Sequence, residues 1–345
     1  MPARLTMTVE REKWPLREPF AITGHTFVDI DIVVVRLSDG THTGSGEGVG
    51  VYYFKDTSAG MEKTLNAIRD AVEADPGREE IQSILPPGGA RNALDSAYWD
   101  LDAQRLGKSA WQLAGLDEPK PLVTTFTIGA GDPETVGRTA LSFKGAQAIK
   151  IKLTGEPVDV DRVNAVRQAC PDVWIGVDAN QGYTRASLEK ALPHFAEAGV
   201  ALVEQPLPMG QDQDLEGLEC PIPLAADESV QSLPDIAAVA PYYHYINIKL
   251  DKCGGLTEGL KMAGAARERG MKVMVGNMVG TALSVGPAYL LGQLCDVVDL
   301  DSPFMLGSDR KPPVLYKDGY VICPPEIWGS RRSTNQPAPA TLTAT

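Results

Sequence analysis

Five short apolar runs along the chain each end in a charged residue: Lys152, Asp178, Glu204, Asp227 and Lys249, at successive spacings of 26, 26, 23 and 22 residues. About one strand–helix unit of a parallel barrel fits in that length. On such strands the five side chains, far apart in sequence, stand side by side at the C-terminal mouth of the barrel. Three carboxylates brought together there repel one another unless something positive sits among them, and the simplest solution is a divalent cation. The donors are all hard oxygens, and none of the four histidines (His25, His42, His194 and His244) has metal-ligand spacing. Mg2+ or Mn2+ therefore fits better than zinc. Singly, each carboxylate reads equally as a helix N-cap or a solvated surface residue; three at one-unit spacing, each after an apolar run, favour the metal.

The lysines flank that cation. Lys150 and Lys152 are two apart on one run and so point to the same face, where their mutual repulsion should lower the pKa of whichever acts as a base. Lys249, on the sixth run, approaches from across the barrel, so the two ammonium groups could exchange a proton with opposite faces of one carbon. The chemistry that needs this arrangement is abstraction of a proton α to a carboxylate, because the resulting dianion needs positive charge beside it. A single lysine at such a place reads more readily as snorkelling or salt-bridged; the pair around three carboxylates favours the chemistry.

The elements that must position these groups are visible as texture. After Pro121, eight apolar runs (123–128, 148–152, 173–178, 201–204, 224–227, 245–249, 272–276 and 297–301) alternate with amphipathic stretches such as 158–170, 185–198 and 257–269. That order demands parallel pairing through helical crossovers, and eight units suggest a closed α/β barrel. No glycine-rich phosphate loop follows the first run, which removes the best support for a dinucleotide-binding sheet. Before residue 120, an alternating run (28–37), its hairpin partner (41–51) and two helical stretches (61–74 and 90–107) form a smaller α+β unit. Residues 331–345 are small, polar and Pro-bearing, and are expected to be a disordered tail.

Composition bounds the partners. The 345 residues carry 45 acidic against 32 basic side chains, a net charge of −13, which argues against nucleic acid or an anionic membrane as partner. No run approaches the roughly 20 apolar residues of a membrane span, and the N-terminus lacks the apolar core of a signal peptide. Five cysteines without C-x-x-C spacing fit a reduced compartment, so a cytoplasmic protein acting on a small molecule is expected, with the cysteines as packing residues.

These residues together resemble the enolase superfamily, in its muconate-lactonizing subgroup. IKIKL (149–153) resembles the subgroup's Lys-x-Lys element, whose second lysine, here Lys152, is an acid/base. DANQGY (178–183), VEQP (203–206) and ADES (226–229) resemble the three metal-ligand strand ends, and NIKLDKCGG (247–255) the sixth-strand element. In the last, Lys249 matches the opposing acid/base and Lys252 a partner of the third carboxylate; Lys150 and Asn180 fall beside the cluster in the same way. ALDSAYWDLDAQRLGKSAWQL (93–113) is similar to the helix closing the family's capping domain. The resemblance implies a (β/α)7β modified TIM barrel (121–307) under an N-terminal α+β capping domain (1–120, completed by about 308–330). It also implies Mg2+, with Mn2+ possible, and a homo-oligomer.

Within that family the dipeptide epimerases carry Asp-x-Asp on the eighth strand, whose carboxylates hold the substrate's α-ammonium group; DLDSP offers Asp299 and Asp301 there. Two apart on a strand, they would lie on one face, a sensible clamp for a cation; a strand-end turn with solvated aspartates is the plainer reading. NMVGTAL (277–283) is similar to the substrate-carboxylate loop, which puts Asn277 and Met278 at the substrate, and the resemblance adds Thr127 from the first strand. One departure stands out. Where glutamate-preferring epimerases place an arginine in the first capping loop, after a Pro-Phe like Pro19-Phe20, His25 occupies the position, and imidazole is a weaker carboxylate partner. The loop Val51-Tyr52-Tyr53-Phe54 offers aromatic rings, Tyr53 among them, that either line an apolar specificity pocket or pack on the barrel rim.

The expected activity is thus epimerisation of a dipeptide at the α-carbon of its C-terminal residue. Within the family, N-acylamino acid racemase, o-succinylbenzoate synthase and muconate cycloisomerase are the alternatives. From other classes, a non-catalytic metal- and acid-binding barrel and a metal-dependent aldolase remain; the opposed lysines weigh against the first and the lack of histidine ligands against the second.

Overall fold

Valine, isoleucine and leucine alternate in period two along residues 28–37, and both faces of that strand are used. The computed structural model describes residues 4–22 and 25–330. In it, β1 (Thr6–Ile22) and β2 (His25–Ser38) form a long antiparallel hairpin, and β3 (Thr43–Val49) pairs with the other edge of β2. Val33, Val35 and Leu37 pack with Met61, Leu65, Leu94 and Leu101 of the helices that follow. Ile30, Ile32 and Val34, pointing the other way, join the core of the second unit.

Five helices follow: α1 (Ser58–Ala67), α2 (Arg69–Glu73), α3 (Arg78–Ile84), α4 (Gly89–Leu106) and α5 (Ala110–Leu113). The stretch expected as one helix over 61–74 starts earlier, where Thr57 Oγ1 accepts from Gly60 N at 3.1 Å, and breaks at Ile68 into α1 and α2. Helix α4 lies directly on β3 because TGSGEGV has a glycine at every second position. A Cβ on Gly46 would stand 2.1 Å from the Ala93 carbonyl oxygen, so only glycine admits the helix backbone.

Next come β4 (Leu122–Val123), β5 (Thr125–Ile128), α6 (Pro133–Ser142), β6 (Ala148–Lys152), α7 (Asp159–Ala169), β7 (Trp174–Asp178), α8 (Arg185–Glu197), β8 (Val200–Glu204) and β9 (Leu224–Ala226). They are followed by α9 (Ile236–Val239), β10 (Tyr245–Lys249), α10 (Leu250–Cys253), α11 (Leu256–Glu268), β11 (Lys272–Gly276), α12 (Ala282–Gly292), β12 (Val297–Asp299), α13 (Ser302–Met305), β13 (Leu315–Lys317) and β14 (Tyr320–Ile322). Strands β5 to β12 make one eight-stranded parallel sheet in chain order. It curls into a nearly closed barrel whose last seam, β12 against β5, is held by threonines: Leu300 N donates to Thr124 Oγ1 at 2.9 Å, and Thr127 N to Asp301 Oδ2 at 2.6 Å.

Two expectations about strands are corrected. Residues 123–128 are not one strand: Leu122 and Val123 pair with β14, Thr124 N donates to Gly319 O, and only Thr125–Ile128 join the barrel. Asp227 and Asp301 lie one and two residues beyond the ends of β9 and β12, so the loop backbone sets their direction. The chain then returns to the first unit: Arg310 Nη2 lies 2.7 Å from Glu12 Oε2 and 3.3 Å from Glu47 Oε2, and Trp328 Nε1 donates to Ser96 O. No helix among the described residues is long and apolar enough to cross a membrane. The tail at 331–345 lies outside the described residues, as does the side chain of His25.

Candidate active site

At the barrel mouth the strand ends deliver their charges to one point. Asp178, Glu204 and Asp227 each offer a carboxylate oxygen, all within 4.8 Å of one another, and all three residues are buried. Lys152 Nζ lies 2.6 Å from Asp178 Oδ2 and donates to Asn180 Oδ1 at 3.0 Å. From the opposite side, Lys249 Nζ lies 2.7 Å from Asp227 Oδ2. Lys252 Nζ holds the other Asp227 oxygen at 2.6 Å and the Asp227 carbonyl at 2.5 Å. Lys150 reaches across to Asp299, with Glu204 Oε2 at 3.4 Å and Asp178 Oδ2 at 3.7 Å. Asn247 Nδ2 donates to Glu204 Oε1 at 2.6 Å.

The charges are unevenly shared. Burial opposes ionisation of Asp178 and Asp227, but Lys152 and Lys150 on the first and Lys249 and Lys252 on the second overcome it and hold both carboxyls below their ordinary value. Glu204 is pushed up to about 8, by burial and then by its neighbour Asp178. The lowering expected from the repulsion between Lys150 and Lys152 does not occur at Lys150, and Lys249 is raised as well. Burial disfavours both ammonium groups, yet Asp299, Glu204 and Asp178 around Lys150, and Asp227, Glu204 and Asp178 around Lys249, raise them. The lysines face carboxylates rather than each other, and proximity in sequence could not show that.

The donor set fits a hard divalent cation. All three donors are carboxylate oxygens, and Glu204 cannot readily hold its charge in the arrangement described, a strain that a cation among the three would relieve. Beside them, Glu228 Oε2 is buried without a hydrogen-bond partner, while its Oε1 accepts from Asn180 Nδ2 at 3.1 Å.

Asp299 and Asp301 are each 5% exposed and both line the cavity over the cluster. Asp299 Oδ1 accepts from Thr125 Oγ1 at 2.5 Å. Asp301 is pushed up to about 7 by burial and by Asp299 beside it; burial opposes ionisation of Asp299 too, but Lys150 overcomes it, so Asp301 is the carboxylate short of positive charge. Thr127, Asn277 and Met278 also line the cavity, and Asn277 Nδ2 donates to Ser302 Oγ at 2.6 Å. The 50s loop divides: Tyr52 and Tyr53 form a wall of the cavity and Gln231 Nε2 donates to the Tyr53 hydroxyl at 3.2 Å, whereas Phe54 is 54% exposed.

Among the lining residues that the sequence reading did not place at the site are Glu228, Phe20 and Phe27. Glu228 follows Asp227, and alternation would send neighbours to opposite faces; both lie past the end of β9, where alternation no longer applies. Phe27 sits edge-on to Tyr52 with ring centroids 5.6 Å apart, a contact between strand and loop that no local pattern announces.

Comparison with known proteins agrees with this fold. Residues 4–115 match the N-terminal domain of the mandelate racemase / muconate lactonizing enzyme family, and residues 136–327 match the enolase C-terminal domain-like family. The L-Ala-D/L-Glu epimerase of Escherichia coli (strain K12) is 36% identical over 316 residues, covering 91% of this chain and 98% of the relative. An enolase family member from Agrobacterium tumefaciens with homology to dipeptide epimerases, solved with sodium and L-Ala-L-Glu, superposes with a TM-score of 0.91 at 39% identity, over 94% of this chain and 100% of that one. The dipeptide epimerase of Enterococcus faecalis V583, solved with Mg and L-Leu-L-Tyr, gives 0.84 at 29% identity, over 90% and 94%. The chain belongs to the enolase superfamily, as a member of its mandelate racemase / muconate lactonizing enzyme family.

Proposed function

We propose that the protein is an isomerase that epimerises dipeptides at the α-carbon of the C-terminal residue. The observation that carries this is the placement of Lys152 and Lys249 on opposite sides of one buried carboxylate cluster, with a second carboxylate pair, Asp299 and Asp301, on the wall beside it. Asp178, Glu204 and Asp227 would hold Mg2+. Bound there, the cation supplies positive charge for the substrate carboxylate and for the further negative charge that builds on it when the α-proton leaves. Lys152 or Lys249 takes the proton, depending on configuration, and the other returns one to the opposite face. Asp301, with Asp299, receives the substrate's ammonium group. Lys150, Lys252 and Asn180 keep the cluster and its lysines in place.

The side-chain end of the cavity is apolar. Phe20, Phe27, Tyr52, Tyr53, Met278 and Met305 line it, and no arginine stands among the described lining residues. An apolar or aromatic C-terminal residue fits this wall better than an acidic one, which would lose its hydration without gaining a guanidinium partner. In the division of work proposed here, residues up to about 120 supply the aromatic side of this wall, Met278 and Met305 the rest, and the barrel supplies the chemistry.

The test is incubation with Mg2+ in D2O of a panel of dipeptides with apolar, acidic and basic C-terminal residues, beside N-acylamino acids. Deuterium entering the α-carbon of dipeptides, fastest for apolar ones, is the expected result. Exchange confined to N-acyl compounds would remove the ammonium role of Asp301, and exchange in neither would overturn the epimerase.

A further inference from the structure

The two lysines are held by different parts of the molecule. Lys249 is the last residue of β10, and the chain turns at once into α10 and the glycine pair Gly254-Gly255. Helix α4 is bonded to that exit by a row of buried groups. Asn92 Nδ2 donates to Asp251 Oδ1 at 2.8 Å, and Arg91 donates to the carbonyls of Cys253 at 2.5 Å and Gly254 at 3.2 Å. Asp95 Oδ2 accepts from Thr257 N at 3.1 Å, and Trp99 Nε1 donates to Thr257 Oγ1 at 2.9 Å. The approach is so close that a Cβ on Gly254 would stand 2.3 Å from Arg91 Nε, and one on Gly255 2.4 Å from Asp95 Oδ2. With φ of +82° and +123°, both glycines also hold backbone conformations that other residues adopt only under strain.

Lys152, the last residue of β6, has a separate support. The Asp159 carboxylate, fully buried, accepts from Thr154 N at 3.1 Å and Gly155 N at 2.8 Å, just past the lysine. Arg162 Nη1 at 2.5 Å and the Tyr183 hydroxyl at 2.7 Å complete its shell. Every described partner of Asp159 lies between residues 154 and 183, and none comes from α4.

We propose that α4 is a positioning element for one acid/base group only: through Arg91, Asn92 and Asp95 it sets Lys249, while Asp159 and Tyr183 set Lys152 independently. The proposal rests on the two-lysine reading of the chemistry. A general acid or base works only within hydrogen-bond reach of the carbon's proton, and a displacement of about 1 Å costs on the order of 100-fold. Loosening one support should therefore slow proton transfer on one face of the substrate and spare the other. A merely structural role would lower both faces together.

The test uses the Mg2+-loaded protein and variants Asn92→Ala and Thr257→Val on one side, Tyr183→Phe on the other. L-Ala-L-Leu and L-Ala-D-Leu are given separately in D2O, and the first deuterium entering each is followed. The epimer served by Lys249 is the one whose exchange disappears in Lys249→Ala. Asn92→Ala and Thr257→Val are expected to lower exchange of that epimer about tenfold relative to the other, and Tyr183→Phe to do the reverse. A second readout needs no substrate: trace acetylation with acetic anhydride, read by mass spectrometry as the ratio of labelling at Lys249 to Lys152. That ratio should rise severalfold in Asn92→Ala and fall in Tyr183→Phe. If wild-type protein exchanges neither dipeptide, the dipeptide reading fails and the labelling ratio alone decides the positioning. Equal loss on both faces, or a labelling ratio unchanged in all three variants, overturns the proposal.

Discussion

Lys150 and Asp299 form an ion pair at the mouth of the barrel, from β6 to β12 over the one strand between them, β5, and Thr125 Oγ1 occupies the other oxygen of the same carboxylate. Both oxygens of Asp299 thus already have a partner in the protein, one of them cationic, and Asp301 is the carboxylate better able to receive a substrate ammonium group. Asp301→Asn is expected to raise KM for a free-amine dipeptide by roughly ten- to 100-fold, the equivalent of losing one charge-assisted hydrogen bond. Asp299→Asn should lower kcat as well, because it releases Lys150 towards Glu204 and Asp178. Steady-state kinetics on a dipeptide and its N-acetyl derivative check both, since the KM effect of Asp301→Asn must be absent for the acetylated compound.

Lys152→Ala and Lys249→Ala should each abolish epimerisation, lowering turnover by at least about 1,000-fold. With Mg2+ present, circular dichroism should show an intact fold. Each variant should keep solvent exchange from one epimer only, read by proton NMR in D2O. Wild-type turnover in either variant would sink the assignment of that lysine.

Mg2+ should stabilise the protein as well as activate it. A ligand at 100 times its dissociation constant adds about 2.7 kcal/mol to stability, several degrees in Tm for a chain of this size. Glu204→Gln should remove most of that Mg2+-dependent rise, and EDTA should abolish α-proton exchange in the wild type. Thermal melts with and without Mg2+ read the first effect; a Tm indifferent to Mg2+ in the wild type would overturn the metal site.

Asp251 gives a prediction in pH. Burial pushes its carboxyl up to about 7, although Val49 N and Asn92 Nδ2 bond to it. Between its ordinary value near 4 and about 7, the folded state binds more protons at this site than the unfolded chain, so stability falls as pH rises through that window. Asp251→Asn keeps the acceptor oxygen and loses the titration. Its stability relative to wild type should grow from pH 4.5 to pH 7.5 and level off above, by up to a few kcal/mol at about 1.4 kcal/mol per tenfold change in proton affinity. Urea denaturation at the two ends of the range measures it; an equal difference at both would refute the raised carboxyl.

The barrel was legible because its signals are local. A βα unit has a characteristic length, a buried strand is a short apolar run, and a charged residue at its end has one direction to point, so Lys152, Asp178, Glu204 and Lys249 could be placed from spacing alone. Asp227 was placed by the same spacing; the resemblance carried Lys252 and Asp299 to the site, and the structure brings all three there. The alternating glycines of TGSGEGV were also visible, but their reason, the backbone of α4 pressed on β3, was not.

By itself the sequence determined the order of elements and the strand-end charges, since both follow from period and chain length over a few residues. Only the tertiary structure decided which charges meet. The pairing of Lys150 with Asp299, the sealing of the barrel by Thr124 and Thr127, the entry of Glu228 and Phe27 into the cavity, and the hold of α4 on the exit of Lys249 all join groups distant in the chain or freed from strand alternation. Electrostatic energy depends on separation and burial in space, so the direction in which Lys150 shifts could be read only once its neighbours were in place.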